Sequence, residues 1–117
     1  MYREIPFRFE VTNSASQILS EYSDLAEGDG SGVTVSVAGR LMLRRDQGKI
    51  VFGVLQDSTE RIQLFASEKN SPDFELFSNL HLGDWLGVTG EVIKTKRGEI
   101  SVRVDSWVRL ACLLYTS

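Results

Sequence analysis

Apolar residues follow two different periods along the chain. Ile18, Leu19, Tyr22 and Leu25 recur at helical spacing, and Ser14 followed by Gln17 fits a capping box at the start of that helix. The glycine-rich stretch Glu27-Gly28-Asp29-Gly30-Ser31-Gly32 then stops it. Its spacing is superficially that of a phosphate loop, but a strand follows where such loops need a helix N-terminus and a lysine, so it reads as a flexible connection. From Val33 the period is two. Val33, Val35, Val37, Leu41 and Leu43 alternate with Thr34, Ser36, Ala38, Arg40, Met42 and Arg44, and Gly39 falls on the apolar side. This predicts a long half-buried strand with a bend or bulge at the glycine.

Asp46-Gln47-Gly48 supplies a turn before a second strand, 49–56, and Asp57–Glu60 another turn before a third, 61–66. Ser71-Pro72 reads as the start of a second helix, serine as N-cap and proline at the first helical position, with Phe74, Leu76, Phe77 and Leu80 on its apolar face and Gly83 ending it. Residues 84–95 form a fourth strand, and Lys96-Arg97-Gly98 turns the chain into a fifth. That last strand places Ile100, Val102, Val104 and Val108 on one face and Glu99, Ser101, Arg103, Asp105 and Trp107 on the other. The class is all-β with helices. Five short strands, an N-terminal helix and one helix between strands three and four are the layout of an oligonucleotide-binding (OB) barrel, whose closure removes open sheet edges. Gly39, Gly53, Gly87 and Gly90 offer the bends that closure requires. The chain divides into an arm and helix over 1–32, the barrel over 33–110, and an apolar stub over 111–117.

At 117 residues there is room for one core, and 42% hydrophobic with 25% charged residues marks a folded domain. No apolar run approaches the roughly 20 residues that cross a bilayer, and the opening MYREIPFRFEV is no secretory signal. Cysteine occurs once, at Cys112, and histidine once, at His81, which excludes a disulfide framework and a Cys- or His-based metal centre, and the lone thiol fits a reducing, cytoplasmic setting. His81 reads as a surface residue near the end of the second helix, with no carboxylate spaced to make a triad, and Cys112 as incidental, so no catalytic residue is assigned. The net charge of −3 is uneven: residues 1–32 hold two basic and six acidic side chains, the remainder eleven basic and ten acidic. A non-specific duplex binder shows a strongly basic face, and this chain does not. It has instead two basic turns, Arg40, Arg44, Arg45 and Lys49 around one and Lys94, Lys96 and Arg97 around the other, suited to a short nucleic-acid segment or simply to solvated loops.

Function belongs to the outer barrel face. On strand three, Ile62 and Leu64 face inward and leave Arg61, Gln63 and Phe65 outward. An exposed ring stacks on unpaired bases, and an amide, donor and acceptor at once, matches a base edge. Strand two has two orientations: Val51, Gly53 and Leu55 point inward and Ile50, Phe52, Val54 and Gln56 outward, or the reverse. In the first, Phe52 and Phe65 make a two-ring platform. The alternative is a pair of half-buried sheet aromatics with no ligand.

Val37-Ala38-Gly39-Arg40, Arg44-Arg45-Asp46, Lys49-Ile50-Val51-Phe52, Leu55-Gln56-Asp57 and Arg61-Ile62-Gln63-Leu64-Phe65 together resemble the anticodon-binding domain of class II lysyl-, aspartyl- and asparaginyl-tRNA synthetases. Leu82-Gly83-Asp84, Gly87-Val88-Thr89-Gly90 and the run from Lys94 to Val102 are similar to the lysyl branch, as is the arm from Tyr2 to Phe9. The resemblance covers residues 1–110. It implies that Phe52 stacks on the central anticodon base with Phe65 beside it, that Gln63 reads uridine there, that Arg45 contacts the stem-loop, and that Glu99 lies near the third base. Arg40, Arg44, Lys49, Lys94, Lys96 and Arg97 are then weaker candidates for the RNA backbone. The implied partner is lysine tRNA, with the aspartyl and asparaginyl branch or a generic single-strand binder as alternatives, and a homodimer through the arm and the parent enzyme. No cofactor is expected in this domain; ATP and magnesium belong to the parent's catalytic domain.

A glutamine amide suits cytosine as well as uracil if it turns over, so discrimination needs a neighbour that fixes it, which the sequence does not single out. The chain departs from the family at Glu60, where glycine is usual and a positive φ would strain the turn. It departs again at Ala111-Cys112-Leu113-Leu114-Tyr115-Thr116-Ser117, where the family continues through a linker into its catalytic domain. That stub reads as a truncation or artefact.

Overall fold

The computed structural model describes residues 9–110, so the arm from Tyr2 to Arg8 and the stub with Cys112 lie outside the described residues. Helix α1 spans Ala15–Glu21, and β1 (Gly30–Gln47), β2 (Ile50–Gln56) and β3 (Arg61–Ser67) follow. Helix α2 (Phe74–Ser78) precedes β4 (Trp85–Lys94), β5 (Ile100–Arg103) and β6 (Ser106–Arg109). The C-terminal half of β1 pairs with β2, β2 with β3, β3 with β5 in parallel, and β5 with β4, which returns to the N-terminal half of β1. The five strands close into a ring, as the sequence layout predicts, and β6 continues the fifth strand along β4.

Alternation fills the interior. Val35, Val37 and Leu41 of β1, Val51 and Leu55 of β2, Ile62 and Leu64 of β3, and Leu86, Val88 and Val92 of β4 are buried together with Val102 and Val104. Strand two therefore takes the first of its two orientations, with Phe52 outward and half-buried. Two glycines are sites of close approach. A Cβ on Gly39 would collide with the carbonyl of Gln56, and one on Gly90 with the carbonyl of Arg103, where the last strand crosses β4. A third, Gly87, is bare because the ring of Phe9 lies flat on it.

Several expectations change. The glycine-rich stretch is held rather than loose: Gly28 N–H donates to Lys94 O at 2.8 Å, Lys94 N–H to Asp29 O at 2.9 Å, and β1 begins at Gly30. Val33 and Leu43 are exposed, because the register slips between Leu41 and Leu43 and again before Thr34. Ser71 does not cap α2. Its buried hydroxyl accepts from Ser67 N–H at 3.0 Å and donates to Val104 O at 2.7 Å, so it ties the turn to the sheet. The helix starts three residues later behind Asp73, whose φ of 51° is the one positive value for a non-glycine among the described residues, and Leu76 points to solvent. The fifth strand breaks at Val104-Asp105, which shifts the alternation: Val108 becomes exposed, while Trp107 turns in to meet Phe77 edge-on at 5.4 Å and donates to Pro72 O at 2.8 Å.

Glu60 does not take a positive φ. The 57–60 turn is built by the Asp57 carboxylate, whose Oδ1 accepts from Thr59 N–H, Thr59 Oγ1 and Glu60 N–H at 2.7, 2.6 and 3.0 Å. Its Oδ2 accepts from Ala15 N–H at 2.8 Å, Thr59 Oγ1 accepts from Ser16 N–H at 3.1 Å, and Ser14 Oγ accepts from Gln17 N–H at 3.2 Å. The first three orphan donors of α1 are thus satisfied, two of them by the β2–β3 turn, and the Ser14–Gln17 capping box is complete. Ala15 and Ile18 join the barrel core.

Burial pushes the Asp57 carboxyl up, but hydrogen bonds from Thr59, Ala15 and Glu60 outweigh it and hold the group below its ordinary value. A carboxylate with a depressed folded-state pKa stabilises above its unfolded value and loses that stability as pH falls through the folded one. Asp57→Ala should therefore cost about 1–3 kcal/mol at pH 7, read by chemical denaturation. The gap from wild type should shrink as the pH drops below about 4.

Candidate nucleic-acid interface

Cross-strand register builds the outer face in rows. Arg45 pairs with Phe52, Phe52 with Phe65, and Phe65 with Arg103, so one row across β1, β2, β3 and β5 reads cation, ring, ring, cation. The Arg45 guanidinium carbon lies 5.8 Å from the Phe52 ring centroid, and the two rings meet at 5.4 Å. They are inclined at 75°, edge to face, so the two adjacent rings present differently oriented faces. One base can lie flat on only one of them, with its edge toward the other; two successive bases can use one ring each.

The next row holds Val54, Gln63 and Ser101. Gln63 Nε2 donates to Ser101 Oγ at 2.9 Å, and Ser101 Oγ donates to Glu99 O at 3.2 Å. Beside these rows the β4–β5 turn and the Gly28–Gly30 segment rise as walls of a cleft of about 880 Å³. Arg45, Phe52, Gln63, Phe65, Glu99, Lys94, Lys96 and Arg97 all line it. The cleft carries five basic side chains against three acidic ones, a local positive excess on a chain whose net charge is −3.

Three of the basic candidates lie elsewhere. Arg40 sits over the Trp85 ring at 5.4 Å, beside Val11 and Met42 in a separate hollow. Arg44 donates to Leu80 O and pairs with Asp46 at 3.4 Å, tying β1 to the chain after α2. Lys49 is exposed at the β1–β2 turn and does not line the cleft. His81 is exposed after α2, and its N–H donates to Asp84 at 2.9 Å. Among the described residues no three His, Cys, Asp or Glu side chains gather as a metal site, and no helix is long and apolar enough to cross a membrane.

Sequence reasoning did not single out Arg103, Glu91 or the Gly28–Gly30 wall. Arg103 was legible as an outward residue in the same alternation as Ser101, but its row was not. It binds Asp105 through Nε and Nη2 at 2.8 and 3.1 Å and approaches Glu91 through Nη1 at 3.3 Å. The hydrogen bond to Asp105 holds this guanidinium above the usual arginine range against the opposing effect of burial, and the charges of Asp105 and Glu91 add to it. Glu91 also accepts from Gly32 N–H at 2.9 Å, so one carboxylate fixes both the arginine and the glycine-rich wall.

Residues 35–110 match the family described as OB-fold nucleic acid binding domain. Similar chains include lysine–tRNA ligases of Prochlorococcus marinus (strain MIT 9313), 41% identical over 111 residues, and of Bacillus subtilis (strain 168), 39% over 104. A lysine–tRNA ligase of Clostridium perfringens (strain 13 / Type A) is 43% identical over 103 residues. Each alignment covers 86% of this chain but only 20–22% of the relative, so the chain spans about a fifth of the length of the curated relatives it matches. The chain belongs to the family of OB-fold nucleic acid binding domains.

Proposed function

We propose that the cleft binds the anticodon loop of lysine tRNA, on behalf of a lysine–tRNA ligase whose catalytic part lies in the four-fifths of the relatives that this chain does not span. The observation that carries this reading is the Arg45–Phe52–Phe65–Arg103 row with Gln63 beside it, on the open face of a closed barrel. Unpaired bases stack on Phe52 and Phe65, each contact contributing roughly 1–3 kcal/mol. Gln63 offers a free carbonyl oxygen and one free N–H, which complement N3–H and a neighbouring carbonyl of uracil. Arg45 serves the stem-loop, and Glu99, at the cleft rim, the third base. Lys94, Lys96 and Arg97 line the path of the backbone.

The chemistry of aminoacylation, with its ATP and magnesium, is assigned to the part outside this chain, as is any homodimer contact. The reading places the domain in the cytoplasm. The glutamine tests it. An anticodon stem-loop of lysine tRNA should bind the wild type at least about tenfold more tightly than Gln63→Ala, in line with a buried polar group left unpaired. The aspartate and asparagine stem-loops should compete more weakly than the lysine one. Equal binding by wild type and Gln63→Ala would contradict the proposal, and stronger competition by either other loop would move the assignment to that branch.

Salt dependence separates the basic residues by position. Lys96→Ala should flatten the slope of log K against log salt by about 0.7, one single-strand phosphate, whereas Arg40→Ala, over Trp85 and outside the cleft, should leave it unchanged.

A further inference from the structure

Ser101 is fully buried, and its hydroxyl touches two groups: Gln63 Nε2 at 2.9 Å and the carbonyl oxygen of Glu99 at 3.2 Å. A hydroxyl has one proton to give, and a backbone carbonyl can only accept. The proton therefore goes to Glu99, the hydroxyl oxygen accepts, and the nitrogen of the Gln63 amide must be the atom that faces it. From this arrangement we infer that Ser101 is the positioning residue that locks the Gln63 amide in one orientation, and that this lock lets the cleft accept uracil and reject cytosine. The inference rests on the proposed reading of Gln63 as a base-contacting residue.

The two pyrimidines differ in the order of their donors and acceptors. Along the pairing edge uracil presents O2, N3–H and O4, while cytosine presents O2, N3 and the N4 amino group. Against a base held in one stacked pose, an amide that meets N3–H and O4 must turn over by half a rotation to meet N3 and N4. Turned over, it brings Oε1 against Ser101 Oγ. The contact is then tolerable only if Ser101 swings its proton from Glu99 to Gln63.

Two hydrogen bonds, Gln63 to Ser101 and Ser101 to Glu99, become one. Ser101 has no exposed surface, so solvent does not replace the lost bond. The Glu99 carbonyl is not orphaned, because Thr95 N–H also donates to it at 3.0 Å. The difference is thus a single net hydrogen bond, about fivefold to tenfold in the preference for uracil. Backbone pairing keeps the lock in place: Ser101 sits opposite Gln63 on β3 and Ile93 on β4, held from both sides.

The test measures a ratio, which a general loss of stability does not move. Dissociation constants are determined for lysine anticodon stem-loops carrying uridine or cytidine at the central position, with wild type, Ser101→Ala and Ser101→Thr. The alanine variant should keep its uridine affinity within about twofold and lose fivefold to tenfold of its preference; threonine, which retains the hydroxyl, should keep the preference. A Ser101→Ala ratio equal to wild type would overturn the inference. A wild type with no preference would instead overturn the reading of Gln63 beneath it. On the unmutated protein, nuclear magnetic resonance gives an independent check: the Gln63 side-chain proton directed at Ser101 should be protected from solvent exchange relative to its partner, and equal exchange of the two would overturn the lock.

Discussion

The cleft exists because β5 lies parallel beside β3, and that placement is permitted by the missing side chain at Gly90. Where the chain crosses β4 on its way from β5 to β6, the carbonyl of Arg103 occupies the space that a Cβ at position 90 would need. Moving the last strand outward to make room would separate Phe65 from Arg103 and Gln63 from Ser101, since each pair is held by β3–β5 register. Closure of the barrel and assembly of the site are therefore one event. The core residues Val92, Val102 and Leu64 fill the inner side of the same three strands, so apolar burial drives the contact that presents the polar row outside.

Fixed charges and fixed dipoles shape that outer row. Asp105 and Glu91 hold Arg103 at one end, and Glu91 simultaneously draws in the backbone of Gly32, so that wall and row are joined. At the opposite pole Asp57 and Thr59 reach from the β2–β3 turn to the N-terminus of α1, which locks the helix to the hairpin that carries Phe52 and Phe65. The site is thereby braced at both ends by carboxylates that accept backbone N–H groups. Such bracing limits reorganisation when a ligand arrives, which is how a modest surface gains affinity.

Much of this was legible in the residues. Period-two alternation placed four of the five barrel strands to within a few residues, and Gly39 and Gly90 were identifiable as bends. Gln63 and Phe65 line the cleft on the outward face that alternation gave them, and Phe52 joins them because strand two takes the first of its two orientations. Arg45, which alternation alone placed on the inward set, reaches the cleft through the register slip after Leu41. What escaped detection was long-range. Nothing local distinguishes the hydroxyl of Ser71, spent on Val104, from a helix cap, since serine before proline suits both. The break at Val104-Asp105, which sends Trp107 inward, is held by Asp105 N–H donating to Thr89 O at 3.0 Å on β4, a partner distant in sequence. Equally, Arg40 and Arg45 look alike in sequence. Five positions and a register slip put them over different rings, Trp85 and Phe52, in separate hollows.

The most direct measurement of the central claim uses fluorine-labelled phenylalanine and a seven-nucleotide RNA loop with a central uridine. Resonances of Phe52 and Phe65 should move on titration while those of Phe74 and Phe77, on α2 and packed with the core away from the cleft, stay in place. Movement confined to Phe74 or Phe77, or to none of the four, would mean that the open face of β2 and β3 is not where nucleic acid binds.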